Sequence, residues 1–180
     1  MPQLRTPLLL PALALTLAAV GGCSTYAATK GASVQPGAEA TLYDGNGREA
    51  GHVRLISNSG MYDATVDVTG ISPGSHGLHL HAIGKCDAPA FTTAGGHLNP
   101  AGKQHGTQNP QGPHLGDLPD VVVGADGKGH GSFMVHSGIA DLFDADGTAI
   151  VVHAGPDDNK TDPSGNSGGR ILCGVLKQIG

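Results

Sequence analysis

Tryptophan is missing from this 180-residue chain, and tyrosine and phenylalanine contribute only three residues each. A core must then be filled by small aliphatic side chains, which suits short strands joined by many turns. Positive charge is also scarce, with ten Lys and Arg against fifteen Asp and Glu, giving a net charge of −5. That balance excludes the basic footprint of a nucleic-acid binder, and no basic amphipathic helix is present for a membrane surface. An anionic substrate would need a local positive funnel, because the global field opposes it. Sustained helical periodicity is absent as well, and the length fits one domain.

The N-terminal stretch stands apart. Residues 1–22 carry Arg5, the apolar run Leu8 to Val20 broken by Pro11, and then small residues. The run is short for a bilayer span and has the pattern of a secretory signal peptide. It ends in Val20-Gly21-Gly22-Cys23, which resembles the lipobox of bacterial lipoproteins and would make Cys23 a lipidated N-terminus. Ordinary cleavage nearer Ala27 or Ala28 is the alternative. Either way the expected location is the bacterial cell envelope or periplasm, with 23–36 a flexible tether and 37–180 the folded domain. Setting Cys23 aside leaves Cys86 and Cys173 in an oxidising compartment, where a disulfide is expected. Two free thiols serving as metal ligands are the alternative.

Beyond the tether the chain alternates apolar and polar residues in short runs: 38–43, 52–56, 61–68, 77–82, 121–124, 131–136, 149–153 and 171–176. Turn signals such as Asp44-Gly45-Asn46-Gly47 and Asn58-Ser59-Gly60 separate them. Eight such runs predict an all-β sandwich or barrel. Two long stretches, 83–119 and 154–170, break the rhythm, and loops of that length in a compact domain are usually functional.

Histidine is what the chain has in excess, ten in all. In Gly77-Leu78-His79-Leu80-His81 the strand period of two puts both imidazoles on one face and both leucines on the other. His153, closing the apolar run Ala149 to Val152, can add a third ring from a neighbouring strand. His97, His105, His114 and Asp117 are strung along the first long loop, which is too polar to fold around a core of its own. A metal ion is the natural organiser there, and three imidazoles with one carboxylate make a tetrahedral zinc set. The donor types suit zinc, copper or iron rather than magnesium or calcium.

Four segments carry a family resemblance: Gly77 to His81, Gly95-Gly96-His97-Leu98-Asn99-Pro100, His114-Leu115-Gly116-Asp117-Leu118-Pro119, and Gly168-Gly169-Arg170-Ile171-Leu172-Cys173-Gly174-Val175. In this order they resemble the copper/zinc superoxide dismutases, with the likeness running from about Ala38 to the C-terminus. The resemblance implies an eight-stranded antiparallel Greek-key barrel with two functional loops. It implies copper at His79, His81, His97 and His153, and zinc at His97, His105, His114 and Asp117, so that His97 bridges the metals. Cys86 and Cys173 would pin the long loop to the last strand, and Arg170 would stand over the copper to attract the anion. Asp157 would hydrogen-bond ligand rings of both metals. The implied activity is dismutation of superoxide to O2 and H2O2 by a copper redox cycle, with His97 carrying a proton. Zinc would have no redox part, and the choice of monomer or homodimer stays open.

Other residues fit blander roles. His76 resembles a family position that hydrogen-bonds beside the site, while His52, His130 and His136 read as surface or satisfied histidines. Lys160 is either a steering charge or a solvated one. Two rival functions remain on these residues. A copper carrier or buffer on the same scaffold, without turnover, usually relies on soft Met and Cys ligands, and this chain has three methionines. A zinc-stabilised adhesion sandwich would leave His79, His81 and His153 unexplained.

Overall fold

The structure is a computed structural model that describes residues 37–180. The expected signal, the tether and Cys23 lie outside the described residues. Strands form where the period of two can bury one face. β1 (Gly37–Asp44) turns Ala38, Ala40 and Leu42 inward and leaves Glu39 and Tyr43 outside. β2 (Glu49–Asn58) buries Val53 and Leu55, and β3 (Met61–Thr69) buries Tyr62, Ala64, Val66 and Val68. The β2–β3 hairpin closes through Ser59 and Gly60, at φ 52° and 88°. Two positive-φ residues give the turn whose twist matches that of the flanking strands.

Six more strands follow: β4 (Gly74–His81), β5 (Asp117–Val123), β6 (Lys128–Val135), β7 (Ala149–His153), β8 (Arg170–Val175) and β9 (Lys177–Ile179). Every pairing is antiparallel. The strands run β1–β2–β3–β6–β5–β4–β7–β8 and return to β1, a closed eight-stranded ring in Greek-key order, with β9 added along β1. Eight strands enclose a space that side chains alone can fill, and the valines, leucines and alanines of the alternating runs fill it. Among the described residues no helix is long and apolar enough to cross a membrane.

The all-β class, the eight alternating runs and both long loops are as expected, now spanning 82–116 and 154–169. β2, β4 and β6 each start three residues before the alternating runs, at Glu49, Gly74 and Lys128, and three larger local differences stand beside these. β5 begins at Asp117 rather than 121, because pairing of Asp117 with His79 and of Leu118 with Leu78 fixes the extended backbone despite Pro119. The chain also forms a 3-10 turn at Thr92–Ala94 and a four-residue helix, α1 (Ile139–Leu142). Both are too short to leave a periodic signature. Finally, β9 continues past the expected last strand and pairs with Gly37–Glu39.

β4 and β7 are buried on both faces. Leu78, Leu80, Ile150 and Val152 point into the barrel. On the outer face Ala149 and Val151 pack with Phe91, Ala94 and Cys173 in a second, smaller core beneath the first long loop. The Cys86–Cys173 disulfide joins that loop to β8 across a sequence separation of 87, with a Cα–Cα distance of 5.7 Å. The thiol-ligand alternative therefore falls away. In the chain-entropy picture, closing a loop of this size stabilises the fold by about 4–5 kcal/mol.

Candidate metal centre

The first long loop docks its functional segment directly on β4. Leu80 donates its N–H to the Gly116 carbonyl (2.9 Å) and accepts the Leu98 N–H (2.8 Å), while Gly116 donates to Leu98 (2.9 Å). Ala82 donates to Gly96 at 2.9 Å, and His97 forms an antiparallel bridge with His81. The backbone thus carries His97 over the outer face of β4, where alternation has already placed His79 and His81. On the adjacent β7, Val151 pairs with His79 and His153 follows two residues later. One donor atom each from His79, His81, His97 and His153 lie within 4.8 Å of one another.

Hydrogen bonds assign the tautomers of these rings, and the assignment is an inference from the network. His81 Nδ1–H donates to the Gly95 carbonyl at 3.0 Å, and His153 Nδ1–H donates to the Gly168 carbonyl at 3.1 Å. His79 Nε2–H donates to Asp157 Oδ2 at 2.8 Å. Their remaining nitrogens, His79 Nδ1, His81 Nε2 and His153 Nε2, are buried without a hydrogen-bond partner, as is His97 Nε2. Four unpartnered buried imidazole nitrogens converging on one point are a donor set for a transition ion such as copper, zinc or iron. Burial pushes the His97 and His153 imidazoles down to about 4 and also lowers His81, so the rings stay neutral and able to ligate.

The other nitrogen of His97 faces a second cluster. His97 Nδ1 and His105 Nδ1 each lie 2.9 Å from Asp117 Oδ1, and His114 Nδ1 lies 3.2 Å from it. His114 Nδ1 is also 3.3 Å from His97 Nδ1. Donors around a tetrahedral zinc ion at about 2.0–2.1 Å sit roughly 3.3 Å apart. Three ring nitrogens thus converge on one carboxylate oxygen at 2.9 to 3.2 Å, a four-donor cluster compact enough to close on a single ion. His79 also lies close to His97, His105 and Asp117. His79, however, has one nitrogen bound to Asp157 and the other in the first cluster. His114 is the fourth member by direct contact.

Two carboxylates hold the clusters in register. Asp117 Oδ2 accepts the N–H groups of Gly106 (2.8 Å) and His114 (2.9 Å). Burial would raise the Asp117 carboxyl, but the His97 hydrogen bond and the Gly106 N–H outweigh it and hold it well below the usual range. Asp157 lies between the clusters, its Oδ1 2.9 Å from His105 Nε2 and its Oδ2 on His79. Burial likewise opposes its ionisation, and the His79 and His105 hydrogen bonds reverse the effect. Gly165 makes room for this link. At φ 61° it occupies a left-handed conformation, and a Cβ there would overlap Asp157 Oδ1 and crowd His105 Nε2.

Arg170 borders the solvent-facing side of the first cluster. Its guanidinium donates to the Phe91 and Gly95 carbonyls, both at 2.6 Å. Gly95 also accepts from His81, so one carbonyl ties the arginine to a ring of the first cluster. Phe91 belongs to the small core around the disulfide, which gives Arg170 a rigid support. A cleft of about 540 Å³ opens here, lined by His81, His97, His153, Lys103, Asp162 and Arg170 among others. Lys160 does not line it.

His76 is buried, with Nδ1 2.8 Å from the His153 carbonyl oxygen and Nε2 2.9 Å from the Ser72 carbonyl oxygen, both of which are acceptors for a ring N–H. It thus supports a neighbour of the cluster and adds no donor to it. Several contributing residues escaped the sequence reading. Asp162 accepts the His105 N–H at 2.6 Å and stands 3.7 Å from His114 Nε2. Asp120 receives the Asp157 N–H at 3.3 Å. Lone aspartates in a polar loop or strand carry no signal of such roles. The Gly95 carbonyl carries none at all.

Comparison with known proteins agrees with this geometry. The family profile described as copper/zinc superoxide dismutase (SODC) matches residues 49–176. A superoxide dismutase (Cu-Zn) 1 of Aquifex aeolicus is 40% identical over 148 residues, spanning 77% of this chain and 86% of its own. A superoxide dismutase (Cu-Zn) of Caulobacter vibrioides is 38% identical over 148 residues, spanning 78% and 85%. Among solved structures, a SOD-like protein from Bacillus subtilis superposes with a TM-score of 0.74 at 37% identity, covering 77% of this chain and 97% of that one. The chain belongs to the copper/zinc superoxide dismutase family, whose metals are copper and zinc, and its two clusters fit them.

The lowered imidazoles set a pH dependence. In the metal-free domain His97 and His153 stay neutral down to about 4, whereas the unfolded chain protonates them near 6.5. The unfolded state therefore binds more protons between those values, so stability is present above pH 6.5 and is lost as pH falls toward 4. Calorimetry of the metal-free protein should show Tm falling steadily through that window. A constant Tm would contradict the neutral assignment.

Proposed function

We propose that this domain dismutes superoxide to O2 and H2O2 in the bacterial cell envelope, with copper held by His79, His81, His97 and His153 and zinc by His97, His105, His114 and Asp117. The observation that carries the reading is His97 itself. One of its nitrogens converges with three unpartnered imidazole nitrogens, and the other lies 2.9 Å from Asp117. A ring with both nitrogens committed to cations must lose both protons, which two flanking positive charges make tolerable.

Copper held by the first cluster would supply a one-electron exchange with superoxide, and zinc held by the second would supply fixed charge without redox change. The chain does the rest. Arg170 presents a permanently charged, planar fork at the cleft, and its two carbonyl contacts leave further N–H donors for a small anion. Its local charge supplies the funnel that a chain of net charge −5 otherwise lacks. His97 Nε2 takes up a proton in one half of the cycle and delivers it to the second superoxide in the other, and water supplies the second proton that H2O2 needs. Asp117 fixes the Nδ1 side of the ring, so the proton moves at Nε2 alone. Asp157 keeps His79 and His105 in the tautomers that ligation needs.

The metal-loaded domain should accelerate superoxide decay far beyond the buffer rate. Arg170→Ala should slow it about tenfold or more and flatten its dependence on ionic strength, with copper and zinc contents unchanged. Decay no faster than buffer, with both metals bound, would favour the carrier reading instead. An unchanged Arg170→Ala rate would refute the steering role.

The envelope location rests on residues 1–22 and on the lipobox-like sequence ending at Cys23. On this reading a lipid at Cys23 anchors the domain through the 23–36 tether. Mass spectrometry of the mature N-terminus should find a diacylglyceryl-modified Cys23. An unmodified terminus near Ala28 would show a free periplasmic protein.

A further inference from the structure

Across the barrel from the buried centre, the outer face of β2, β3 and β6 carries a second grouping of imidazoles and carboxylates. His52 of β2 pairs in register with Asp67 of β3, and Asp67 pairs with His130 of β6. The three stand in one row across adjacent strands, with the carboxylate between the two rings. Their register is not free to slip, because Val53 and Val66, the next residues along, are buried inside the barrel. Glu49 extends the row, its Oε1 3.1 Å from His52 Nε2. His130 Nδ1 is 2.8 Å from Asp67 Oδ1.

Read as separate surface ion pairs, these contacts add little to stability. Together they line one shallow depression, with Gly51 and Gly129 beside it and Lys128 at its rim. Two carboxylates outnumber the one lysine there. All four side chains are well exposed, from 58% to 67%, so each can turn without disturbing the core. Adjacent strands are about 4.8 Å apart. His130 already meets Asp67, and His52, held on the other side by Glu49, has to turn inward for both rings to meet one ion above Asp67.

We infer that His52, Asp67 and His130, with Glu49 beside them, form a third metal site that takes a borderline divalent ion of the zinc and copper(II) class. The donor set is right for that class: two imidazoles select borderline transition ions, and the carboxylates supply charge. The site shares no residue with the buried clusters and lies on strands that face their strands across the ring. It does not depend on the proposed catalysis.

The test is equilibrium dialysis of the copper- and zinc-loaded protein against free zinc ions, with metal content compared between variants. The native protein should hold one more equivalent than His52→Ala/His130→Ala at the same free zinc. Asp67→Asn should weaken that equivalent about tenfold. Dismutation rate and Tm without added zinc should be the same in all three, since these side chains touch neither the core nor the cleft. Equal metal content in the native protein and the double variant would overturn the proposal. So would an extra equivalent that Asp67→Asn leaves at full affinity. Loss of the buried metals from any sample would report on the dismutase centre, and the difference between native and double variant would still decide the third site.

Discussion

Two buried carboxylates hold this site together. Asp117 gathers three imidazole nitrogens around one oxygen, and Asp157 spans from a ring on β4 to a ring on the long loop. Buried charge is costly unless paired and hydrogen-bonded. Here each carboxylate meets both conditions, and the partners it uses come from segments distant in sequence. The requirement to satisfy those oxygens thus fixes how the loops lie on the barrel. The barrel in turn supplies two residues, His79 and His81, whose spacing needs nothing but strand geometry.

The remainder is support arranged around that arrangement. The disulfide ties the loop to β8, and the small core of Phe91, Ala94, Val151 and Cys173 packs beneath it. That core fixes the carbonyls of Phe91 and Gly95, which hold Arg170. Gly95 in turn orients His81. A covalent link outside the cleft therefore supports the charge at its mouth through a chain of packed contacts.

Much of this was legible in the sequence because it follows from local periodicity. The alternation at 77–81 gave the facing histidines, and the polar composition of 83–119 marked a loop organised by something other than a core. Other parts required contacts between distant residues. The start of β5 at Asp117 depends on pairing with His79, which no local pattern in Asp117-Leu118-Pro119 announces. The role of Gly165 depends on how close Asp157 approaches. His52 and His130 look like unrelated surface residues until the β3–β6 pairing, between strands not adjacent in the chain, sets them on either side of Asp67.

Everything the two clusters do together depends on His97 belonging to both at once. Copper electron paramagnetic resonance of the protein with cobalt(II) in place of zinc tests this most directly. A shared imidazole couples the two paramagnetic ions, so the copper signal should vanish when cobalt fills the second cluster and return when zinc replaces it. A copper signal of undiminished intensity with both ions bound would contradict the shared ring and reduce the site to two separate metal centres.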